Sequence, residues 1–107
     1  MAGGKVDEKI LHEIVRRIVE AVQPQKIILF GSAARDEMSR ESDVDLLVVK
    51  AGVHRRHTAQ LLHRVLAGVG VPKDIVVATP QDLEQFKDAL GLIYRSALSE
   101  GRTIYAA

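Results

Sequence analysis

At 107 residues, 47% of them hydrophobic, the chain has the size of one ordinary domain and enough apolar material for one core, so residues 1–107 are expected to form a single domain. Fifteen basic against fourteen acidic residues leave a net charge of +1, which excludes the broad positive field of a dedicated nucleic-acid binder. There is no cysteine, which excludes disulfide frameworks and thiolate metal sites and leaves oxygen and nitrogen as the metal ligands.

Met1 to Lys5 carry no apolar signal stretch, and no apolar run approaches the roughly 20 residues that span a bilayer. A cytoplasmic protein without a membrane segment is therefore expected. Apolar residues at Val6, Ile10, Leu11, Ile14, Val15, Ile18, Val19 and Val22 recur at steps of three and four, which predicts a first helix with one apolar face. Pro24 ends it, because proline supplies no amide and disfavours helix in the residue before it. Lys26 to Phe30 then reads as a strand whose continuous apolar run suits cover on both faces.

Gly31 breaks that run, and after a polar stretch from Ser32 to Ser42 a second strand is predicted over Val44 to Val49. Leu61, Leu62, Val65, Leu66 and Val69 mark one face of a second helix, of about four turns, and a third strand follows over Asp74 to Ala78. Thr79, Pro80 and Asp82 together signal a helix start, continued by Leu83, Phe86, Leu90, Ile93, Tyr94, Ala97 and Leu98. Gly101 stands where a left-handed C-terminal residue would release a short extended tail at Thr103 to Tyr105. The class is α/β (α+β), with a mixed sheet of three strands or slightly more and helices packed on it.

Asp43 and Asp45 lie one residue apart, so the alternation of a strand turns both to one face, where they form a clamp for a divalent ion. Magnesium prefers hard oxygens and is usually held by a few carboxylates together with substrate phosphates, so the pair asks for a nucleotide. Gly31 and Ser32 sit where a strand gives way to a turn, and there exposed amides and a hydroxyl can donate to phosphate. Alone, Gly31-Ser32 reads first as a tight turn after a strand, and it is the downstream aspartates that reverse this reading. The helix between the second and third strands implies that these two run parallel if they share a sheet. If the first strand runs antiparallel beside the second, Gly31, Ser32, Asp43, Asp45 and Asp74 all arrive at one edge.

Gly31-Ser32-Ala33-Ala34-Arg35-Asp36-Glu37 followed by Ser42-Asp43-Val44-Asp45-Leu46-Leu47-Val48-Val49 resembles the signature of the DNA polymerase beta nucleotidyltransferase superfamily. The short chain looks like a minimal nucleotidyltransferase, the type found as the antitoxin of a toxin–antitoxin pair. The resemblance implies a polymerase-beta-like fold and transfer of a nucleoside monophosphate, most often AMP from ATP, to a hydroxyl with release of pyrophosphate. It further implies Asp43, Asp45 and Asp74 as catalytic metal ligands for two magnesium ions, manganese being the alternative. Asp43 and Asp45 would hold the ion on the triphosphate, and Asp45 and Asp74 the ion that activates the acceptor oxygen. Asp74 is also placed to take the acceptor's proton. Gly31, Ser32, Arg35, Asp43 and Asp45 would bind the nucleotide. The implied partner is a HEPN-type ribonuclease toxin, and a homo- or hetero-oligomer would wall the open edge; occlusion of that partner without catalysis is the alternative function.

Asp36 departs from the glycine usual after the arginine, which adds negative charge beside the triphosphate position. Arg35 either reaches a phosphate through paired donors or is an ordinary surface arginine. His54-Arg55-Arg56-His57 is the densest basic cluster, but it follows the far end of the second strand and reads as a solvated turn, with a partner surface as the alternative. Lys73 alternates away from the face of Asp74, Tyr94 reads as a core position, and His12 and His63 are isolated.

Overall fold

The computed structural model describes residues 6–35, 43–86 and 100–107. The first helix, α1, spans Glu8–Val22. Asp7 is its N-cap and accepts from the Lys9 amide at 2.8 Å, so Val6 lies outside the helix. Val6 and Leu11 nevertheless join one core cluster, at the positions where a hydrophobic staple closes over a cap. The helix ends on Gln23, a left-handed residue whose amide donates to Val19 O, one residue before Pro24.

Strands β1 (Lys26–Phe30), β2 (Val44–Val49), β3 (Lys73–Ala78) and β4 (Arg102–Ala106) form one sheet in the order β3-β2-β1-β4. β1 is antiparallel to β2 and to β4, while β2 and β3 run parallel. Helix α2, Arg55–Val65, is the crossover between the parallel strands; Leu66 and Val69 of the predicted apolar face lie beyond its end and are still buried. Helix α3, Pro80–Phe86, follows β3 and starts on reciprocal bonds. Asp82 Oδ2 accepts from the Thr79 amide at 2.9 Å and Thr79 Oγ1 accepts from the Asp82 amide at 3.1 Å. The rest of the predicted last helix, with Gly91 and Tyr94, lies outside the described residues.

One expectation changes at the C-terminal segment. The extended tail is a fourth strand, paired with β1 across a register shift between Ile27 and Ile28. A five-residue strand whose partner lies about 75 positions earlier leaves no local pattern that reveals the pairing.

Alternation divides the sheet cleanly. Ile27, Leu29, Leu46, Val48, Ile75 and Val77 face α1 and α2, where Ile14, Ile18, Leu62 and Leu66 complete the main core. Each fully buried aliphatic side chain there contributes about 1.5–3 kcal/mol of transfer free energy. The Arg17 guanidinium donates to Val65 O and Ala67 O, both at 3.1 Å, and so ties α1 to the end of α2. Ile28, Phe30, Leu47, Val49 and Ala78 face the other way, with Val76 and Leu83 packed against them. No helix among the described residues is long and apolar enough to cross a membrane.

Candidate active site

The register decides the geometry of the acidic edge. Asp45 is the Cα partner of Phe30, the last residue of β1, and on its other side of Asp74 in β3. Adjacent strands lie about 4.8 Å apart, so the Asp45 and Asp74 backbones are direct neighbours. Asp43 precedes β2 by one residue and shares the parity of Asp45. The carboxylates therefore belong to one edge and to the face opposite α1 and α2, whose apolar side chains are Phe30, Leu47 and Val76. Lys73 is paired with Val44 and takes the opposite parity, as its spacing from Asp74 predicts.

Gly31 opens a 3₁₀ turn, Gly31–Ala33, directly after β1. Its φ is +70°, a conformation that L side chains rarely adopt, and a Cβ there would collide with Asp45 Oδ2 and stand 3.2 Å from Asp45 Cγ. Glycine is thus required twice over: for the turn and for the seat of the Asp45 carboxylate. The turn continues through bonds from the Ala34 and Arg35 amides to Gly31 O, at 3.2 and 3.3 Å. First-turn amides such as that of Ser32 have no helical acceptor of their own and lie beside the carboxylates.

The half-buried Asp45 carboxyl is raised above its ordinary value, first by burial and then by the charges of Asp74 and Asp43, while Arg35 acts in the opposite sense. The Asp74 and Asp43 charges are therefore close enough to act on Asp45, and the Arg35 guanidinium is close enough to be felt by it as well. Arg35 also lies 3.9 Å from Glu100, which precedes β4. Glu100 is a neighbour of this turn that sequence reasoning missed, since 65 positions separate it from Arg35 and no motif links them. Asp36 lies outside the described residues.

No group of three His, Cys, Asp or Glu side chains among the described residues is drawn together as a ready-made metal cage. The aspartates share an edge and a face without closing around a centre. That arrangement fits magnesium, which characteristically takes one or two protein carboxylates and completes its octahedron with phosphate and water oxygens. Hard anionic donors at an open edge, beside first-turn amides, are the donor set that a metal-bound triphosphate needs.

Residues 9–104 match the family model described as a nucleotidyltransferase domain. The chain belongs to that family. It is also 32% identical over 102 residues to a Methanocaldococcus jannaschii protein provisionally named a protein adenylyltransferase, covering 92% of this chain and 98% of that one. Among solved structures, a mutant MntA-HpeT toxin–antitoxin complex matches with a TM-score of 0.64 at 17% identity, over 95% of this chain and 75% of that one. A toxin–antitoxin structure with AMP-PNP matches at 0.56 and 22% identity, over 95% and 75% of the two chains. A complex of tri-AMPylated Shewanella oneidensis HEPN toxin with MNT antitoxin matches at 0.55 and 18% identity, over 94% and 72%. At these identities the solved structures establish the shared nucleotidyltransferase fold, including the mixed sheet expected from the sequence.

Proposed function

We propose that this nucleotidyltransferase moves AMP from ATP to a hydroxyl of a partner protein, a HEPN-type toxin, in a magnesium-dependent reaction. The observation that carries the reading is the three-strand alignment of Gly31-Ser32, Asp45 and Asp74, with Asp43 on the same face. The acceptor oxygen attacks the α-phosphorus, its bond to the bridging oxygen of the β-phosphate breaks, and pyrophosphate leaves. Asp74, the more exposed of the paired strand carboxylates, is the group positioned to take the acceptor's proton.

Magnesium, or manganese in its place, supplies charge neutralisation on the triphosphate and activation of the acceptor oxygen when bound. Asp43 and Asp45 would hold the first ion and Asp45 with Asp74 the second. Ser32 and the turn amides would grip phosphate oxygens, and Arg35 would add paired donors from the side of Glu100. The provisional name of the archaeal relative supports a protein acceptor, and the solved neighbours with AMP-PNP and with an AMPylated HEPN toxin support both the nucleotide and the partner. The cytoplasm, where ATP and magnesium are abundant, is the compartment this chemistry asks for.

Labelled ATP, magnesium and the product of the neighbouring gene provide the test. Label is expected on the partner with the native enzyme and on nothing with Asp43→Ala plus Asp45→Ala. If the double variant still protects cells fully from the partner, neutralisation is by occlusion and the catalytic reading falls.

A further inference from the structure

The other end of the sheet carries a feature that phosphoryl transfer does not use. Beyond β2 the chain enters α2 through His54, Arg55, Arg56 and His57, and a groove of about 780 Å³ opens there. Among the described residues its wall is Val53, His54, Arg55, Arg56, Ala59 and Val77. The floor is thus aliphatic and the rim cationic.

The rim is built against the preference of a helix start. The positive end of the helix dipole favours acids in the first turn, yet that of α2 has none and carries two arginines. His54 caps the helix by accepting from the His57 amide at 3.3 Å, and the two imidazoles stack with centroids 4.1 Å apart. Among the described residues Arg55 has one acidic neighbour, Asp82 at 3.4 Å, and Asp82 is already engaged by the Thr79 amide. No carboxylate among the described residues pairs with Arg56. Positive potential is therefore concentrated over an apolar floor and left largely unanswered.

We propose that this groove docks an acidic peptide segment of the protein acceptor, its carboxylates on Arg55 and Arg56 and an aliphatic side chain on Val53, Ala59 and Val77. The choice of a protein partner rests on the protein-acceptor reading above; the charge and shape of the groove do not. Guanidinium forks match carboxylates bidentately, and an aliphatic floor rewards apolar side chains. A single helical turn spans too few phosphates for nucleic acid to bind well, and the chain as a whole is nearly neutral. Val77 in the groove wall stands three places beyond Asp74 on β3, roughly 10 Å at strand rise, and on the opposite face of the sheet, so a docked segment would hold its protein across the sheet from the acidic edge.

The full chain, without ATP, is titrated into a fluorescein-labelled octapeptide of alternating glutamate and leucine, and anisotropy is read at low and high salt. Saturable, salt-weakened binding is expected, reduced about tenfold by Arg56→Glu and further by Arg55→Gln with Arg56→Glu. Because an acid in the first turn favours the helix, the melting temperature of Arg56→Glu should hold or rise, which separates lost binding from lost folding. Absence of binding, or binding indifferent to Arg56→Glu, would overturn the proposal. So would an oligouridylate of equal charge that binds more tightly and with the same dependence on Arg56. Because ATP is absent, failure here leaves the transfer reading standing, and failure of labelling leaves this result standing.

Discussion

At one end of β2 the chain presents Asp43 and Asp45 with Asp74 beside them; at the other it runs through Lys50 into His54, Arg55, Arg56 and His57, with Lys26 across from Val49. Neither end is a neutral surface, and each carries a local cost. The acidic end holds like charges close enough to raise the Asp45 carboxyl, and the basic end places arginines against a helix dipole. The two costs differ in kind. At the acidic edge the backbone itself is built to the carboxylate, through a left-handed glycine that leaves no room for a Cβ. At the basic end long, exposed side chains stand on the first turn of an ordinary helix. The first pattern suits a site that must hold reacting atoms in one geometry, and the second a surface that collects a partner by charge.

The largest effect expected from breaking this contrast is at Asp45. Asp45→Asn should lower AMP transfer by about 10³-fold or more, since it removes the carboxylate that would hold the magnesium neutralising the triphosphate, while thermal stability without magnesium holds or rises as repulsion is relieved. A variant that kept a tenth of the native rate would remove Asp45 from the mechanism. Next is Gly31→Ala, in which the left-handed backbone alone costs about 1–2 kcal/mol and the added methyl must displace the Asp45 carboxylate. A melting temperature lower by several degrees, together with weakened magnesium–ATP binding by calorimetry, is the expected pair of results. A loss of stability with native nucleotide affinity would uncouple the turn from the carboxylate.

A smaller effect concerns pH. The Asp45 carboxyl is raised by burial and then by Asp74 and Asp43, so the folded protein holds that proton more tightly than the unfolded chain. Its contribution to stability is present below the ordinary carboxylate range and is lost as pH rises through the raised value. Divalent ions favour the charged form, so the stabilisation by magnesium should grow over that same interval, with proton release on binding. Thermal melts with and without magnesium from acid to neutral pH check this, and a pH-independent magnesium shift would contradict it. The smallest effect is at the basic end, where Arg56→Glu should change stability by no more than about 0.5 kcal/mol, in the stabilising direction, in a urea titration.

Much of the acidic edge was legible because it depends on rules that act locally. The bounds of β1 and β2 coincide with the apolar runs Lys26–Phe30 and Val44–Val49, and the Thr79, Pro80 and Asp82 signal marks the start of α3. Period-two alternation placed Asp43 with Asp45, and the helical crossover made β2 and β3 parallel, so the meeting of Asp45 and Asp74 followed from connectivity. What escaped is non-local or depends on the exact course of the chain. The pairing of β4 with β1 and the approach of Glu100 to Arg35 join distant positions without a spacing signal. The beginning of α1 was read two residues early because Val6 is buried as a staple without being helical. The groove beside α2 was invisible as a groove, since Val77 reaches it only through the packing of β3 against that helix.

Intact-mass spectrometry of the partner protein after incubation with this enzyme, ATP and magnesium tests the central claim most directly. The expected result is a partner heavier by one or more whole AMP units, absent with Asp43→Ala plus Asp45→Ala. A partner of unchanged mass that is nonetheless neutralised, or an AMP adduct that persists in the double variant, would contradict the assignment of the acidic edge as the transfer site.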